Sequence, residues 1–471
     1  MGTVQLRSNC LSFVELLAQG IALISPTMTA ALIIPVMYGN TGNWSWLSYA
    51  LGTVMLLFVA MNLNQFAKRS ATSGSMYSYI CRGLGLTAGG VGGWSLIWAY
   101  LGISIAGITG FTIFAGKLLA MVGLSAPPFL LFAICAGTAF FLAWKNVQLS
   151  AMLMLLLEGV SMALILILSL IVLGQHHFAL DAVQFDTATL PWSNLGLGVV
   201  VAIFSLVGFE CATAFGDEAK NPLQSIPRAV IWSLVISGTF FVFVTYTMII
   251  GTRGYAQKLD QIDAPLNVMA QLAHVGLLQI PLSIGAMVSF FALCLSCLNA
   301  GARVIFAMSR HGVFPTIMAE AHHKNATPHI AVSIMGIAAF LVPCVLTLMH
   351  QATLDIFNWA GTMAAFGFLV PYAFITLSAP GYLRKLGVLR PKDWVLCVCS
   401  LLLLGIPAVG SVYPVPAAPL NYFPYAYLAY LAIGIAWIAS LHKRKPHVSR
   451  SILEDLDHVH AQFQPQPANN V

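Results

Sequence analysis

Charge is what this sequence has least of. Asp, Glu, Lys and Arg make up 8% of its 471 residues, against 59% that are apolar, and the mean hydropathy is +0.86. A soluble protein of this size needs roughly a quarter of its residues charged to cover its surface, so water is not the main solvent of this chain. Long polar stretches are missing before the C-terminal tail, which leaves no room for a second, soluble domain. Paired cysteine motifs are scarce as well. The nine cysteines lie mostly inside apolar stretches, and although Cys294 and Cys297 have redox or zinc spacing, no second pair stands at zinc-site distance. They read as small apolar helix residues, and no metal or other cofactor is expected. No cleavable leader is expected either: the first apolar stretch runs from Phe13 to Met37, contains Glu15 and lacks a small-residue cleavage site.

What the sequence has in abundance is long apolar runs. Lipid satisfies no backbone N–H or C=O, so each crossing must be a helix of about 20 mostly apolar residues. Twelve spans are predicted, at 13–37, 46–66, 92–119, 127–144, 151–174, 194–217, 227–251, 279–308, 330–350, 355–378, 394–413 and 424–441, with Gly-, Asn- and Pro-rich loops between them. The expected fold class is an all-α polytopic membrane protein. An even number of spans puts both ends on one side. Of the 21 Lys and Arg residues, all but Lys117, Arg253 and Lys258 fall on that side, which predicts cytoplasmic termini in a bacterial inner membrane. The net charge of +6 then reflects topology and anionic lipid, with no nucleic-acid partner. Residues 1–12 are expected as a cytoplasmic N-terminus, and 446–471, rich in Gln, Pro and Asn, as a disordered cytoplasmic tail.

Two spans break the pattern. In span 1, Gly20-Ile-Ala-Leu-Ile-Ser-Pro26-Thr-Met-Thr29 puts a proline at mid-membrane with hydroxyls on both sides. Proline removes a helix hydrogen bond and clashes with the preceding turn, so backbone there must find other partners. In span 6, Phe204-Ser-Leu-Val-Gly208-Phe-Glu210 places a glycine beside a carboxylate. Interrupted segments five spans apart point to inverted repeats, 13–174 and 194–378, followed by two further spans at 394–441, and to a transport site at the breaks. The N-terminus of a half-helix offers N–H groups to an anion, and the facing C-terminal ends offer carbonyls to a cation. A zwitterion matches that pair of poles. Few ionisable residues fall well inside spans. Glu158 and Glu210 do, with Glu15 and Asp355 near span ends, and neither deep glutamate has a Lys or Arg at comparable depth. Both are candidates for proton coupling, Glu210 first because it adjoins a break.

Three stretches carry a family resemblance. They are Phe66-Ala-Lys-Arg-Ser-Ala-Thr-Ser-Gly74-Ser-Met-Tyr77-Ser-Tyr; Phe204 to Glu210 continuing through Asp217-Glu218-Ala-Lys-Asn-Pro222 and Ile226-Pro-Arg-Ala229; and Ala302 to Pro315 with Thr327-Pro328. In order, spacing and placement the chain resembles the amino acid–polyamine–organocation permeases, over nearly its whole length except the tail. The resemblance implies a LeuT-like fold of five plus five inverted spans with two outer helices, helices 1 and 6 broken. It implies that Ser25, Pro26, Thr27, Met28, Thr29 and Ala30 line the substrate site, with Thr27 to Ala30 cradling a carboxylate. Carbonyls near Ile21 to Ile24 and Phe204, Ser205 and Leu206, next to Gly208, would face the ammonium, with Phe204 as an aromatic lid. Many relatives have a Gly-Ser-Gly-like break in span 1, whereas the bulkier Ser25-Pro-Thr-Met-Thr-Ala resembles a branch that includes putrescine importers. Proton-coupled relatives of one branch carry a Lys in span 5, where this chain has Glu158 and Gly159. Sodium stays open as coupling ion, because span 8 offers the hydroxyls of Ser289 and Ser296.

The function these features predict is a secondary active transporter that moves an amino acid or small amine by alternating access, with a proton as coupling ion in symport or exchange. A polyamine importer is the rival within transport, disfavoured because Glu210 is the one obvious carboxylate for a dication. A substrate-sensing receptor would carry a signalling domain, and an enzyme would need a cluster of His, Asp or Cys on facing helices, which the sequence lacks. The 251–278 segment, with Asp260, Asp263 and Pro265, reads equally as an outer gate or a connection.

Overall fold

The structure, a computed structural model, describes residues 6–262, 264–413, 415 and 418–444. The expected tail at 446–471 and Asp263 lie outside the described residues. Among the described residues the regular structure is helical, with two isolated bridges, Leu11 to Ala219 and Ser73 to Phe215. Span 1 is α1 (Phe13–Ile24), the short α2 (Pro26–Met28), a π turn at Thr29–Ile33 and α3 (Ile34–Thr41). Then come α4 (Ser45–Ala67), α5 (Met76–Leu84), α6 (Leu86–Met121), α7 (Pro128–Lys145), α8 (Val147–Gln175) and α9 (Trp192–Leu206). After a 3-10 turn at Phe209–Ala214 follow α10 (Pro222–Gly251), α11 (Pro265–Leu272), α12 (Gln279–Arg310), α13 (His329–Leu348), α14 (Thr353–Lys385), α15 (Pro391–Gly410) and α16 (Phe423–Arg444).

Among the described residues eleven stretches are long and apolar enough to cross a membrane, and the first of them, Phe13–Ala67, has 55 residues. At 1.5 Å per residue that is about 80 Å, more than twice a hydrocarbon core of about 30 Å. Gly42, at φ 55° and ψ −131°, turns the chain inside this stretch, so it has the length for two crossings, which makes twelve among the described residues. The short helices α5 and α11 fall in segments that hydropathy treats as connections. Glu15 belongs to a cap: its carboxylate accepts the Ser12 N–H at 2.6 Å, and its own N–H points back at the Ser12 hydroxyl. That capping box satisfies the free N–H groups where α1 begins.

Burial runs opposite to that of a soluble helix. On α8 the residues Ser150, Glu158, Ser161 and Ser169 are buried, while Met152, Leu156, Val160 and Leu170 on the other side are more than half exposed. The helical period is ordinary, but apolar side chains face outward, where lipid lies, and polar ones face the protein. The centre is held by α6, which packs along α12 and α14. Small residues allow this close approach: a Cβ on Gly102 would lie 2.9 Å from the Ala360 carbonyl oxygen, and one on Gly107 2.9 Å from the Cys294 Cβ.

Candidate functional site

Pro26 dictates the break in helix 1. It has no N–H to return to Ala22, and it disfavours the α region for the residue before it. Ser25 accordingly sits in the left-handed region at φ 53°, ψ 70°. The Thr27 N–H, which a continuous helix would donate to Leu23, is instead donated to Glu158 Oε1 at 3.1 Å. The other carboxylate oxygen of Glu158 accepts the Ser289 hydroxyl at 2.5 Å, and the Ser289 and Ser25 hydroxyls lie 2.9 Å apart. Glu158 from α8 and Ser289 from α12 thus fasten onto the break itself. Beyond it the Thr29 hydroxyl is buried and has no hydrogen-bond partner, and the Thr27 hydroxyl, also buried, lies beside the Glu158 carboxylate.

Helix 6 is interrupted as well. α9 ends at Leu206, Val207 is extended, and Gly208 turns left-handed at φ 97° before the 3-10 turn. A side chain at 208 would be strained by that φ, and its Cβ would fall 1.8 Å from the Leu23 Cδ2. The two breaks are therefore in direct contact, Gly208 against the last turn of α1. The Gly208 N–H is donated to the Tyr372 hydroxyl at 3.2 Å, and that hydroxyl donates to Glu210 Oε2 at 2.6 Å. Tyr100 donates to Glu210 Oε1 at 3.0 Å. Glu210, fully buried, is thus held by tyrosines of α6 and α14. Neither tyrosine was among the expected site residues. A signal exists, since a buried Tyr hydroxyl in a span must find a partner and a cation-free carboxylate must find donors.

Of the other expected residues, Ile24, Ser25, Pro26, Thr27, Thr29 and Ala30 are buried around the helix 1 break, and Ile21 and Met28 are half-buried. Ser205, in the last turn of α9, lies 3.4 Å from the Tyr49 hydroxyl, and Phe204 beside it is half-buried. Ser289 and Ser296 do not converge. They are two turns apart on α12, about 10 Å. Ser289 belongs to the Glu158 cluster, while Ser296 donates to the Gln19 carbonyl at 2.9 Å and lies 3.6 Å from the Cys211 sulfur.

On the face of the termini, the segment after the 3-10 turn gathers three elements. Glu218 forms a two-pronged ion pair with Arg303 of α12, whose guanidinium also lies 4.3 Å from the Phe215 ring centroid. The Glu218 carbonyl accepts the N–H groups of Cys10 and Leu11, and Lys220 N–H is donated to the Leu11 carbonyl at 2.7 Å. Asp217 accepts from Ser73 and pairs with Arg310 at 3.4 Å. Both members of the Arg303–Glu218 pair are almost fully buried, 1% and 0% exposed, so losing one would leave a buried charge at a cost of about 3–5 kcal/mol.

A many-crossing helical bundle whose two interrupted helices meet defines a membrane transporter of the secondary class. The chain belongs to the amino acid permease family, whose sequence pattern matches residues 16–452. It is 27% identical to the branched-chain amino acid permease BcaP of Bacillus subtilis, over 70% of this chain and 73% of that one. It is 26% identical to the low-affinity putrescine importer PlaP of Escherichia coli, over 80% and 81%. A methylthioribose transporter of Bacillus subtilis is 26% identical over 76% of this chain and 79% of its own length.

Proposed function

We propose that the protein carries an amino acid across a bacterial inner membrane by alternating access, with its termini in the cytoplasm and with inverted repeats of five spans at 13–174 and 194–378. The observation that carries this reading is the meeting of the two breaks, Gly208 on Leu23, beside a Thr29 hydroxyl that is buried and unbonded. The segment from Thr27 to Ala30, whose Thr27 N–H is held by Glu158 in this state, receives the carboxylate, and the carbonyl ends of α1, at Ile21 to Ile24, and of α9, at Phe204 to Leu206, receive the ammonium. Phe204 closes over the apolar side chain. The likeness to a branched-chain amino acid permease supports such a passenger. An amine importer is the second reading, supported by the likeness to a putrescine importer.

The coupling ion in this reading is a proton, carried by Glu158. Its carboxylate bonds the Thr27 N–H that the break releases, so its charge is felt where helix 1 is interrupted. Reconstitution in liposomes tests both parts. Labelled amino acids and amines are offered under imposed proton or sodium gradients, to the wild type and to Glu158→Gln. The expected result is proton-driven amino acid uptake that Glu158→Gln renders insensitive to the proton gradient while exchange persists. No accumulation or exchange under any gradient would sink the transport assignment, and an unchanged proton dependence would remove Glu158.

A further inference from the structure

On the side facing α1, α12 carries Ser289, Ser296, Asn299 and Arg303, a helical spacing that puts them on one face. The two serines are bonded as described. Asn299 is not: its side chain is fully buried, and neither its oxygen nor its nitrogen has a hydrogen-bond partner. On α1, Gln19, equally buried, engages Ser296, one turn before Asn299, through its two oxygens while its Nε2 has no partner. A buried amide left unpaired is costly, so these groups have a use in another state of the cycle. Donors dominate, two NH2 groups against one free oxygen, which suits an anion.

One turn beyond Asn299 lies Arg303, whose Nη1 donates to the Asn299 carbonyl at 2.8 Å. Its carboxylate partner, Glu218, lies off α12, in the 215–220 segment that is stitched to Cys10 and Leu11. Any opening toward the face of the termini that draws this segment from α12 parts the pair. Arg303 then needs another anion. We infer that the passenger's carboxylate takes the place of Glu218 on Arg303, with the Gln19 and Asn299 amides as flanking donors, at a second station between the helix breaks and the face of the termini. This rests on the amino acid permease reading and deepens it: the passenger itself offsets the cost of opening the exit, and an amine without a carboxylate does not.

The full chain in liposomes tests this with Asn299→Leu and Asn299→Asp. The Asn299 side chain bonds nothing, so Leu, of similar volume, should melt at or above the wild-type temperature. The probes are leucine and 3-methylbutylamine, its decarboxylated counterpart. Leucine counterflow is expected to slow about tenfold in Asn299→Leu, as for one lost hydrogen bond to a charge, and by more than equilibrium binding weakens. Asn299→Asp, which sets a like charge beside the carboxylate, should slow it further, and amine flux should be unaffected in the Leu variant. Leucine counterflow at the wild-type rate in both variants overturns the station. Equal slowing of leucine and amine does so too, because it marks a general polar lining. A wild type that binds neither leucine nor any other amino acid removes the amino acid reading and the station together, so the wild-type arm tells the two failures apart.

Discussion

Replacing Gly208 by Ala probes the contact on which the site is built. Two costs follow from the geometry. An L side chain at φ 97° sits in the left-handed region, which costs roughly 1–2 kcal/mol. The new methyl would also fall 1.8 Å from the Leu23 Cδ2 and 3.0 Å from its Cγ, and Leu23 is only 2% exposed, so it has little room to turn away. Overpacking of this kind costs about 1–3 kcal/mol. The sum is roughly 2–5 kcal/mol, a large fraction of the roughly 5–15 kcal/mol that holds a typical domain folded. Trimming the obstacle separates the two parts: Leu23→Ala should rescue the steric share in Gly208→Ala and leave the backbone share, whereas Gly208→Asn should tolerate the φ but not the contact. The assays are the inactivation half-life of purified protein, because membrane proteins seldom unfold reversibly, and leucine counterflow. Gly208→Ala at wild-type half-life and flux would refute the reasoning outright. A double variant no better than the single one would show that Leu23 is not the obstacle.

Three further outcomes follow from the same contacts. Tyr372→Phe strips a donor from Glu210 and the acceptor of the Gly208 N–H, so it should cost about 2–4 kcal/mol, more than Tyr100→Phe, which removes one bond; equal losses in thermal inactivation would contradict the double role of Tyr372. Phe204→Ala should weaken leucine retention about tenfold, roughly 1.4 kcal/mol, in equilibrium binding, and unaltered affinity would mean that Phe204 does not cover the passenger. On the opposite face, burial works to raise the Asp181 carboxyl, but the hydrogen bonds from Arg253 and Gln184 outweigh it and hold the group below its ordinary value. A depressed carboxyl stabilises fully above its unfolded value of about 3.9 and loses that contribution as pH falls through the folded value. Asp181→Asn should therefore be less stable than the wild type at neutral pH, by under about 1 kcal/mol because Arg253 is 45% exposed, with the two curves converging below about pH 4. A constant gap across that range would rule the ion pair out as the cause.

Much of the fold was legible because lipid imposes a coarse rule: apolar length marks each crossing, and Pro26 and Gly208 are the residues least compatible with one. The two breaks follow from chemistry local to a few residues. The partners do not. Arg303 counts in the sequence as one more cation on the face of the termini, yet it is 1% exposed and bound to Glu218, which lies 85 residues away. Glu15 reads as a charge near a span end, although Ser12-x-x-Glu15 is a capping box visible without any structure. Asn299 and Gln19 are unremarked in the sequence because an amide in a span usually finds a partner, and only burial together with the missing bonds sets these two apart.

The two deep glutamates differ in where their hydrogen-bond donors come from. A buried carboxylate without a cation must be neutralised or supplied with donors. Glu210 draws its donors from Tyr100 and Tyr372, side chains on the unbroken helices α6 and α14, and these do not depend on the shape of helix 1. Glu158 draws one donor from Ser289 and the other from a backbone N–H that is free only because Pro26 interrupts the helix. If helix 1 straightened at this point, that N–H would turn back toward Leu23 and the carboxylate would lose it. An ionised Glu158 accepts this bond more strongly than a neutral one, since hydrogen bonds to charged groups are roughly twice as strong. Its charge and the conformation of the helix 1 break are therefore linked through that bond, whereas Glu210 is tied to the helix 6 break through Tyr372 and the Gly208 N–H, and the proton-coupled reading proposed above places the coupling on Glu158.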